Sequence, residues 1–372
     1  MTDPVLPRGD DEPEKRRSSR LRQAVRIVVS LALAGAIFAY LLGSAADFSE
    51  VIAAISSMTG LELLTLGLLA AWNLATYWMV IVACTPGLTY PQAAVLVEST
   101  TAVANAVPGG SAVAVGLTYS MLGSWGFSRS RSTLSVIVSG LWNNFAKLGL
   151  PVLALALLAM QGDVNGPRVT AGLFGIAALV ASITTFALIL RTEPFARRAG
   201  DGAAAWASRV RRRLGKGPVE GWGDATAKFR GRTIGLVSHA WKQLTVATVV
   251  SHLSLFAVLL MALRHLGVSN DEVHWTEVLA AFAFVRLLTA IPITPGGLGV
   301  VELGLIAGLT TAGGDQAEVV AAVLIFRGLT YLVPIPLGLL TYLFWRRNRS
   351  WRDSAPPLSP ALAPEPTPAG GG

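Results

Sequence analysis

The sequence predicts an all-α polytopic membrane protein with about six full spans and two Pro-Gly-Gly-broken re-entrant hairpins arranged as an inverted repeat. Of its 372 residues, 52% are apolar and only 14% are charged, and the mean hydropathy is +0.55. A soluble domain carries about 25% charged residues. Several stretches of about 20 residues have few or no charges, so each is long enough to cross a hydrocarbon layer about 30 Å thick.

Six segments have the length and apolar character of a full span. They are residues 27–46, 61–83, 132–160, 169–190, 239–263 and 317–345. The first follows the basic Lys15-Arg16-Arg17 and resembles a secretory signal. It is longer than the roughly 7–15 apolar residues of a signal peptide, so we expect a span that is not cleaved.

Two further apolar segments, 90–124 and 275–312, are interrupted by Pro108-Gly109-Gly110 and by Pro295-Gly296-Gly297. Proline removes a backbone donor and glycine permits a sharp reversal, so a helix breaks at each position. Such a break is tolerated in the membrane only where protein or a water-filled cavity surrounds it. The helix that follows each break presents free N–H groups and its positive dipole end, which attract anions such as phosphate. The alternative is a packing kink without a ligand.

The positions of the basic residues predict the orientation. When the N-terminus is placed in the cytosol, the basic clusters all fall on the cytosolic side, as the positive-inside rule requires. The chain then lies in the cell membrane with both termini cytosolic, and its two span–hairpin–span units have opposite orientations, as in an inverted repeat. The expected domains are a disordered leader, a transmembrane domain with a cytosolic basic loop, and a Pro-rich disordered tail. They cover residues 1–26, 27–345 with its loop at 191–238, and 346–372.

The net charge of +8 belongs to these span ends, so it does not indicate nucleic-acid binding. Cys84 is the single cysteine, which excludes a cysteine-rich metal site, and the four histidines lack metal-ligand spacing. We expect no metal and no cofactor. The sequence also contains no nucleotide-binding loop and no catalytic motif, so we expect no enzymatic activity. It does not indicate an oligomeric state.

Five ionisable residues lie inside predicted spans and are functional candidates, because a charge in the membrane is costly. They are Glu98, Lys147, Arg286, Glu302 and Arg327. One hypothesis pairs Arg286 with Glu302 as a structural link between the arms of the second hairpin. The other assigns an anionic lipid headgroup to Arg286 and Arg327, with Glu302 and Glu98 as counter-charges. In that hypothesis the glycines of both breaks, Gly109, Gly110, Gly296 and Gly297, also contact the headgroup. The long stem of Lys147 would let its charge reach water.

The run Pro295-Gly296-Gly297-Leu298-Gly299-Val300-Val301-Glu302, with Arg286 before it and Arg327 after it, resembles the signature of flippase-like membrane proteins. These proteins are related to the transmembrane domain of lysylphosphatidylglycerol synthases. The resemblance covers about residues 27–345. Pro108-Gly109-Gly110-Ser111 matches more loosely, without the charged residues expected after the break. The resemblance implies lipid translocation, or the membrane part of a lipid-modifying system. The synthases add a soluble aminoacyl-transfer domain, for which a Pro-rich tail stands here, so we do not expect a complete synthase.

The leading hypothesis is therefore a translocase for a phospholipid or a polyprenyl-linked lipid. One alternative is a membrane-embedded lipid-modifying transferase, which the intramembrane carboxylates of Glu98 and Glu302 keep open. A second alternative is a non-transporting membrane partner of a glycosyltransferase. A leaflet-resolved assay separates them, because transport leaves the lipid unchanged and an enzyme makes a new lipid.

Overall fold

The computed structural model describes residues 48–107, 109–162, 166–213, 217–290 and 294–354. Within these ranges the regular structure is helical, and no strand is present. The predicted leader, the predicted first span at 27–46 and most of the predicted tail lie outside the described residues.

We number the helices of the described residues in chain order. They are α1 Phe48–Ser56, α2 Gly60–Cys84, α3 Tyr90–Ala106, α4 Gly110–Ser124, α5 Arg129–Met160, α6 Gly166–Arg191, α7 Glu193–Arg213, α8 Trp222–His265, α9 Trp275–Leu288, α10 Val300–Thr311, α11 Gln316–Arg327 and α12 Pro334–Arg347. A 3₁₀ turn, Pro295–Gly297, lies between α9 and α10, and a π-helical turn, Gly328–Leu332, joins α11 to α12.

Five stretches of the described residues are long and apolar enough to cross a membrane. They are Gly60–Cys84, Arg129–Met160, Leu173–Arg191, Trp222–His265 and Gln316–Arg347. They match the second to sixth spans expected from the sequence. The class, a helical membrane protein with several spans, is confirmed.

Short polar signals begin several of these helices. Thr59 starts α2 in a reciprocal pair, in which the Thr59 N–H donates to the Glu62 carboxylate at 2.7 Å and the Glu62 N–H donates to Thr59 Oγ1. Thr89 and Gln92 repeat this arrangement at the start of α3. Such boxes satisfy N–H groups that a helix leaves unpaired at its first turn. The Thr-x-x-Glu and Thr-x-x-Gln spacings therefore mark the first turns of α2 and α3.

The basic segment 191–238 is helical over most of its length, which differs from the predicted loop. It contains α7 and the first part of α8, which pack against each other. Arg197 of α7 forms an ion pair with Asp224 of α8, and a side chain at Gly200 would come within 2.5 Å of the Trp222 carbonyl oxygen. Hydropathy did not indicate these helices, because the many basic residues lower the mean hydropathy of the segment. Ala and Arg nevertheless have high helix propensity.

The two halves of the chain are interleaved. Helix α3 packs mainly against α12, α5 packs against α9, and α2 packs against α8. A side chain at Gly338 of α12 would lie 2.1 Å from the Glu98 carbonyl oxygen of α3, so the two backbones are in close contact. Each half therefore completes its packing only with helices of the other.

The chain after α12 continues in contact with the helices. Trp351 lies edge-on to Trp125, with ring centroids 6.0 Å apart, and next to Phe344 at 5.3 Å. The Gln92 amide donates to Ser354 Oγ at 3.0 Å. The prediction of a disordered tail from residue 346 is therefore wrong for residues 346–354. Two tryptophans and a short polar contact hold this part against α3, α4 and α12.

Candidate functional site

The first break separates α3 from α4. Val107 is extended, Gly109 has a φ of 66°, and the Gly110 N–H donates to the Val107 carbonyl at 2.7 Å. A side chain at Gly110 would lie 2.3 Å from the Val103 carbonyl oxygen. The chain reverses here because one glycine adopts a left-handed conformation and the next leaves room for the preceding helix.

The second break follows α9. Three glycines between Pro295 and Val300 have positive φ, at 57° for Gly296, 72° for Gly297 and 79° for Gly299. The Gly297 N–H donates to the Thr294 carbonyl at 3.1 Å. Only glycine adopts positive φ at several neighbouring positions without strain, so this turn requires the glycines of the Gly296-Gly297-Leu298-Gly299 run.

The two breaks meet through Asn105 and Tyr331. The Tyr331 hydroxyl donates to the Asn105 carbonyl at 2.8 Å, and the Asn105 amide donates to the Tyr331 carbonyl at 3.2 Å. A side chain at Gly296 would lie 2.2 Å from the Tyr331 ring and 3.1 Å from Asn105 Oδ1. Both breaks and the π-helical turn after Arg327 thus come together at one point.

Glu302 pairs with Arg327. Arg327 Nε donates to Glu302 Oε1 at 2.6 Å, and the exposed fractions of the two residues are 6% and 0%. Arg327 Nη2 donates to the Gly296 carbonyl at 3.1 Å, and its guanidinium lies 4.4 Å from the Tyr331 ring centroid. The pair therefore joins α10, α11 and the second break.

This pairing corrects two expectations. Glu302 is bound to Arg327, so the predicted link between Arg286 and Glu302 is wrong. The other Glu302 oxygen accepts the Gly299 N–H at 2.8 Å at the start of α10. A carboxylate of the chain therefore occupies the helix terminus that was expected to receive an external anion. Sequence spacing alone allowed either arginine as the partner, because Arg286 lies on the helix before that of Glu302 and Arg327 lies on the helix after it.

Arg286 and Lys147 carry the uncompensated charge of the site. Among the described residues, neither forms an ion pair with a carboxylate, and Arg286 Nε is buried without a hydrogen-bond partner. Lys147 is 8% exposed, and its Nζ donates to the Thr289 carbonyl at 3.5 Å, a long hydrogen bond. Each buried charge is costly unless a ligand or counter-ion compensates it.

Glu98 lies apart from these cations. Its Oε1 accepts the Trp78 indole N–H at 2.8 Å, and its Oε2 is buried without a partner in the described part of the chain. Glu98 lies where α3 meets α2 and α12. Trp78 belongs to α2, and the neighbouring Ser99 hydroxyl forms a hydrogen bond with Thr341 of α12. The structure therefore does not bring Glu98 to Arg286 or Arg327 as the predicted counter-charge.

A cavity of about 260 Å³ lies at the meeting point of the two breaks. Of the predicted site residues, Arg286, Arg327, Gly296 and Gly297 line it. From the first break the lining residues are Asn105 and Ser111, whereas Gly109 and Gly110 form the turn behind them. Glu302 does not line the cavity itself, but it binds Arg327, which does.

Sequence reasoning left out several residues of the cavity wall. Polar members that were not predicted are Asn105, Ser111, Thr289, Thr294, Thr330 and Tyr331. Tyr331 carried a usable signal, since it lies four residues after Arg327 on the same helix face. Lys147, one of the five ionisable candidates inside predicted spans, also lines the cavity.

The chemistry available in this cavity is that of anion binding. Its wall presents three cationic side chains, and within the described ranges no group of three His, Cys, Asp or Glu side chains is placed to hold a metal ion. Arginine and lysine bind phosphate and carboxylate through charge-assisted hydrogen bonds.

Comparison with known proteins supports the resemblance seen in the sequence. Residues 25–338 match the family described as the lysylphosphatidylglycerol synthase transmembrane region. A search of curated proteins found no match to the chain. The family match covers both breaks, the cavity and all three of its cations.

Proposed function

This chain belongs to the lysylphosphatidylglycerol synthase transmembrane-region family, and we propose that it moves an anionic or polyprenyl-linked lipid between the leaflets of the membrane. The observation that carries the proposal is the cavity where the two breaks meet, in which Arg286 has no carboxylate partner among the described residues. A partly buried cation of this kind in a membrane protein marks a substrate or ion path.

The geometry suits a headgroup that enters the membrane. The cavity is small, it is lined by polar and apolar side chains in similar measure, and it lies among helices that are themselves apolar enough to span. A lipid can place its charged headgroup among Arg286, Lys147 and Arg327 while its acyl chains stay in the hydrocarbon. Because the site replaces the water lost by the headgroup, the barrier to crossing falls.

We further propose that the two halves form an inverted repeat with two re-entrant hairpins. The supporting observation is the pairing of the helices. Helix α3 packs on α12 as α9 packs on α5, and each broken segment packs its own arms, α3 on α4 and α9 on α10. Exchanging the halves exchanges these contacts, and translocases built from such repeats place their site at the interface between repeats.

The orientation proposed for the chain places both termini in the cytosol of a cell and the chain in its cell membrane. The basic ends of α7 and α12, with Arg211–Arg213 and Arg346–Arg347, then share the cytosolic side. The acidic connection with Asp271 and Glu272 faces the other side. This distribution follows the positive-inside rule.

A leaflet-resolved assay tests the function. The purified full-length chain is reconstituted in vesicles that contain a trace of a fluorescent anionic phospholipid, and an impermeant reductant removes the label from the outer leaflet. Transport predicts that the wild-type protein moves inner-leaflet label to the outer leaflet, where the reductant removes it, while vesicles with the Arg286→Gln variant behave like empty vesicles.

The same samples separate the other functions. Mass spectrometry of the extracted lipids would show a new covalent species if the chain were a lipid-modifying transferase. A membrane partner of a glycosyltransferase would give neither flip nor a new species. Either result would overturn the translocase proposal.

A further inference from the structure

The charges in the cavity wall do not balance. Lys147, Arg286 and Arg327 contribute three positive charges, and the carboxylate that reaches them is that of Glu302. Glu302 is committed to Arg327 by a 2.6 Å bond and to the Gly299 N–H by a second bond. Two positive charges, those of Lys147 and Arg286, therefore remain without a counter-charge in the described part of the chain.

We propose that the cavity selects a lipid headgroup with two negative charges on a terminal phosphate, that is, a phosphate monoester or a diphosphate, held between Lys147 and Arg286. This inference rests on the proposed function, since it names the substrate class of the same site. It goes further because it distinguishes a terminal phosphate from a phosphodiester headgroup and from a zwitterionic one.

The position of Lys147 supports its role as a ligand. By helical rise it lies about 27 Å from the first residue of α5 and about 20 Å from the last. The ammonium is turned toward the cavity, where it meets the Thr289 carbonyl next to Arg286. A lysine side chain cannot carry its charge to water over that distance, so the charge stays in the protein.

Among the described residues, the neighbouring groups do not supply the missing charge. Thr289 follows directly after α9, Ser111 belongs to α4, and Thr330 and Tyr331 belong to the π-helical turn, and all of them are neutral. His252 on α8 lies within electrostatic range of both Arg286 and Lys147 and adds no negative charge. A bound anion would supply the charge that the described residues lack.

The size of the cavity restricts the headgroup. About 260 Å³ holds about nine water molecules at roughly 30 Å³ each. Ligand pockets for drug-sized molecules occupy about 300–1,000 Å³. A phosphate or diphosphate fits this space.

The charge of the headgroup is restricted by the same cations. A zwitterionic headgroup would bring an ammonium group next to Lys147 and Arg286, where like charges repel. A phosphodiester carries one negative charge and leaves one of the two cations buried without compensation. A terminal phosphate in its doubly ionised form compensates both.

A competition between matched lipids tests this inference. The detergent-solubilised full-length chain is mixed at pH 8 with equal amounts of phosphatidic acid, phosphatidylmethanol and phosphatidylcholine that share the same acyl chains. Native mass spectrometry then counts the bound lipids. Phosphatidylmethanol differs from phosphatidic acid by one methyl group and one charge. We expect phosphatidic acid to be bound at least about tenfold more than phosphatidylmethanol, because one more charge meets two cations at short range.

Variants assign the preference to the cavity. Lys147→Met and Arg286→Gln should each bring the ratio of phosphatidic acid to phosphatidylmethanol close to one, whereas Lys147→Arg should keep most of it. Lys242→Met is the matched control, since Lys242 is exposed on α8 and lies over the Trp241 ring outside this cavity. It should leave the ratio unchanged. An unchanged ratio in both cavity variants would overturn the assignment.

Two further results would overturn the inference. Equal binding of phosphatidic acid and phosphatidylmethanol by the wild-type chain would show that the second charge does not matter. Displacement of phosphatidic acid by inorganic phosphate at equal concentration would show a site for free phosphate instead of a lipid. Because these measurements do not depend on transport, lipid flip without the preference leaves the translocase proposal intact. The preference without flip would leave the headgroup inference intact and overturn the translocase proposal.

Discussion

Arg327 and Glu302 form a buried ion pair, with Arg327 Nε 2.6 Å from Glu302 Oε1, at the point where the second Pro-Gly-Gly break meets α11. The guanidinium also donates to the Gly296 carbonyl, and the carboxylate accepts the Gly299 N–H. The pair therefore fixes the shape of the break from both sides. The cations that remain for a ligand are Arg286 and Lys147.

Replacing Arg327 with Gln should destabilise the protein. The change leaves the Glu302 carboxylate buried without its cation, and breaking a buried pair costs about 3–5 kcal/mol. The measurement is the midpoint of thermal unfolding in detergent. The double variant Arg327→Gln/Glu302→Gln should recover part of the loss because it also removes the unpaired charge. Arg346→Gln, on an exposed residue of α12, is the control and should unfold like wild type. A single Arg327→Gln variant as stable as wild type would show that the pair does not support the fold.

Replacing Arg286 with Gln should impair function without destabilising the protein. We expect loss of lipid flip in proteoliposomes with unchanged or higher stability, because the change removes a charge whose Nε has no partner in the described residues. Arg286→Lys should retain part of the flip, and Arg209→Gln on the exposed face of α7 should retain all of it. Full flip by the Arg286→Gln variant would exclude this residue from the transport path.

Gly296→Ala should loosen the contact between the two breaks. Its new methyl group would lie 2.2 Å from the Tyr331 ring, and a residue other than glycine at a φ of 57° adds about 1–3 kcal/mol of strain. We expect a lower unfolding midpoint and reduced flip. Gly67→Ala on α2 is the matched control, since no atom lies within 4 Å of its new methyl group. Wild-type behaviour of both variants would show that Tyr331 moves without cost.

Glu98→Gln should leave lipid binding unchanged. The amide oxygen keeps the bond from the Trp78 indole, and Glu98 does not line the cavity. Trp78→Phe removes the donor instead and should destabilise the protein by about 1–3 kcal/mol, because a buried acceptor loses its partner. Thermal unfolding and the lipid competition measure the two effects. A loss of phosphatidic acid binding in Glu98→Gln would restore the counter-charge role predicted for this residue.

Labelling of single cysteines should establish the orientation. Cys84 is buried, so its reaction with an impermeant maleimide should be weak, and a Cys84→Ala background removes it. In intact cells we expect Asp271→Cys to be labelled and Arg209→Cys and Ser350→Cys to be protected. All three sites are exposed on the protein, and permeabilised cells should label each of them. The reverse pattern in intact cells would invert the proposed topology.

Apolar length predicted the spans well because hydropathy decides which segments cross. The bounds of α2 and α5 lie within a few residues of those expected, and Pro-Gly-Gly marked both breaks. The start of α8 was missed. Its first turns carry Asp224, Lys228 and Arg230, which hydropathy interprets as a loop although a helix forms there by packing on α7.

The partners inside the site could not be predicted from spacing. Arg286 and Arg327 lie on different helices, and their positions in the sequence would allow either of them to pair with Glu302. Which of them does so depends on the rotation of α9 and α11 about their axes, a property of tertiary packing. Lys147 illustrates the same limit, because its burial depends on contacts with α9 that no local pattern encodes.

The interleaving of the halves has a consequence for biogenesis. Helix α3 inserts early in synthesis, but its close partner α12 is the last helix of the described chain, and the two meet through Gly338, Ser99 and Thr341. The polar groups of α3 therefore remain in the translocon or the lipid without their partners on α12 until the ribosome has made α12. A truncation before α12 removes the packing partner of the first hairpin as well as its own helix, so quality-control proteases should encounter an unfinished first half.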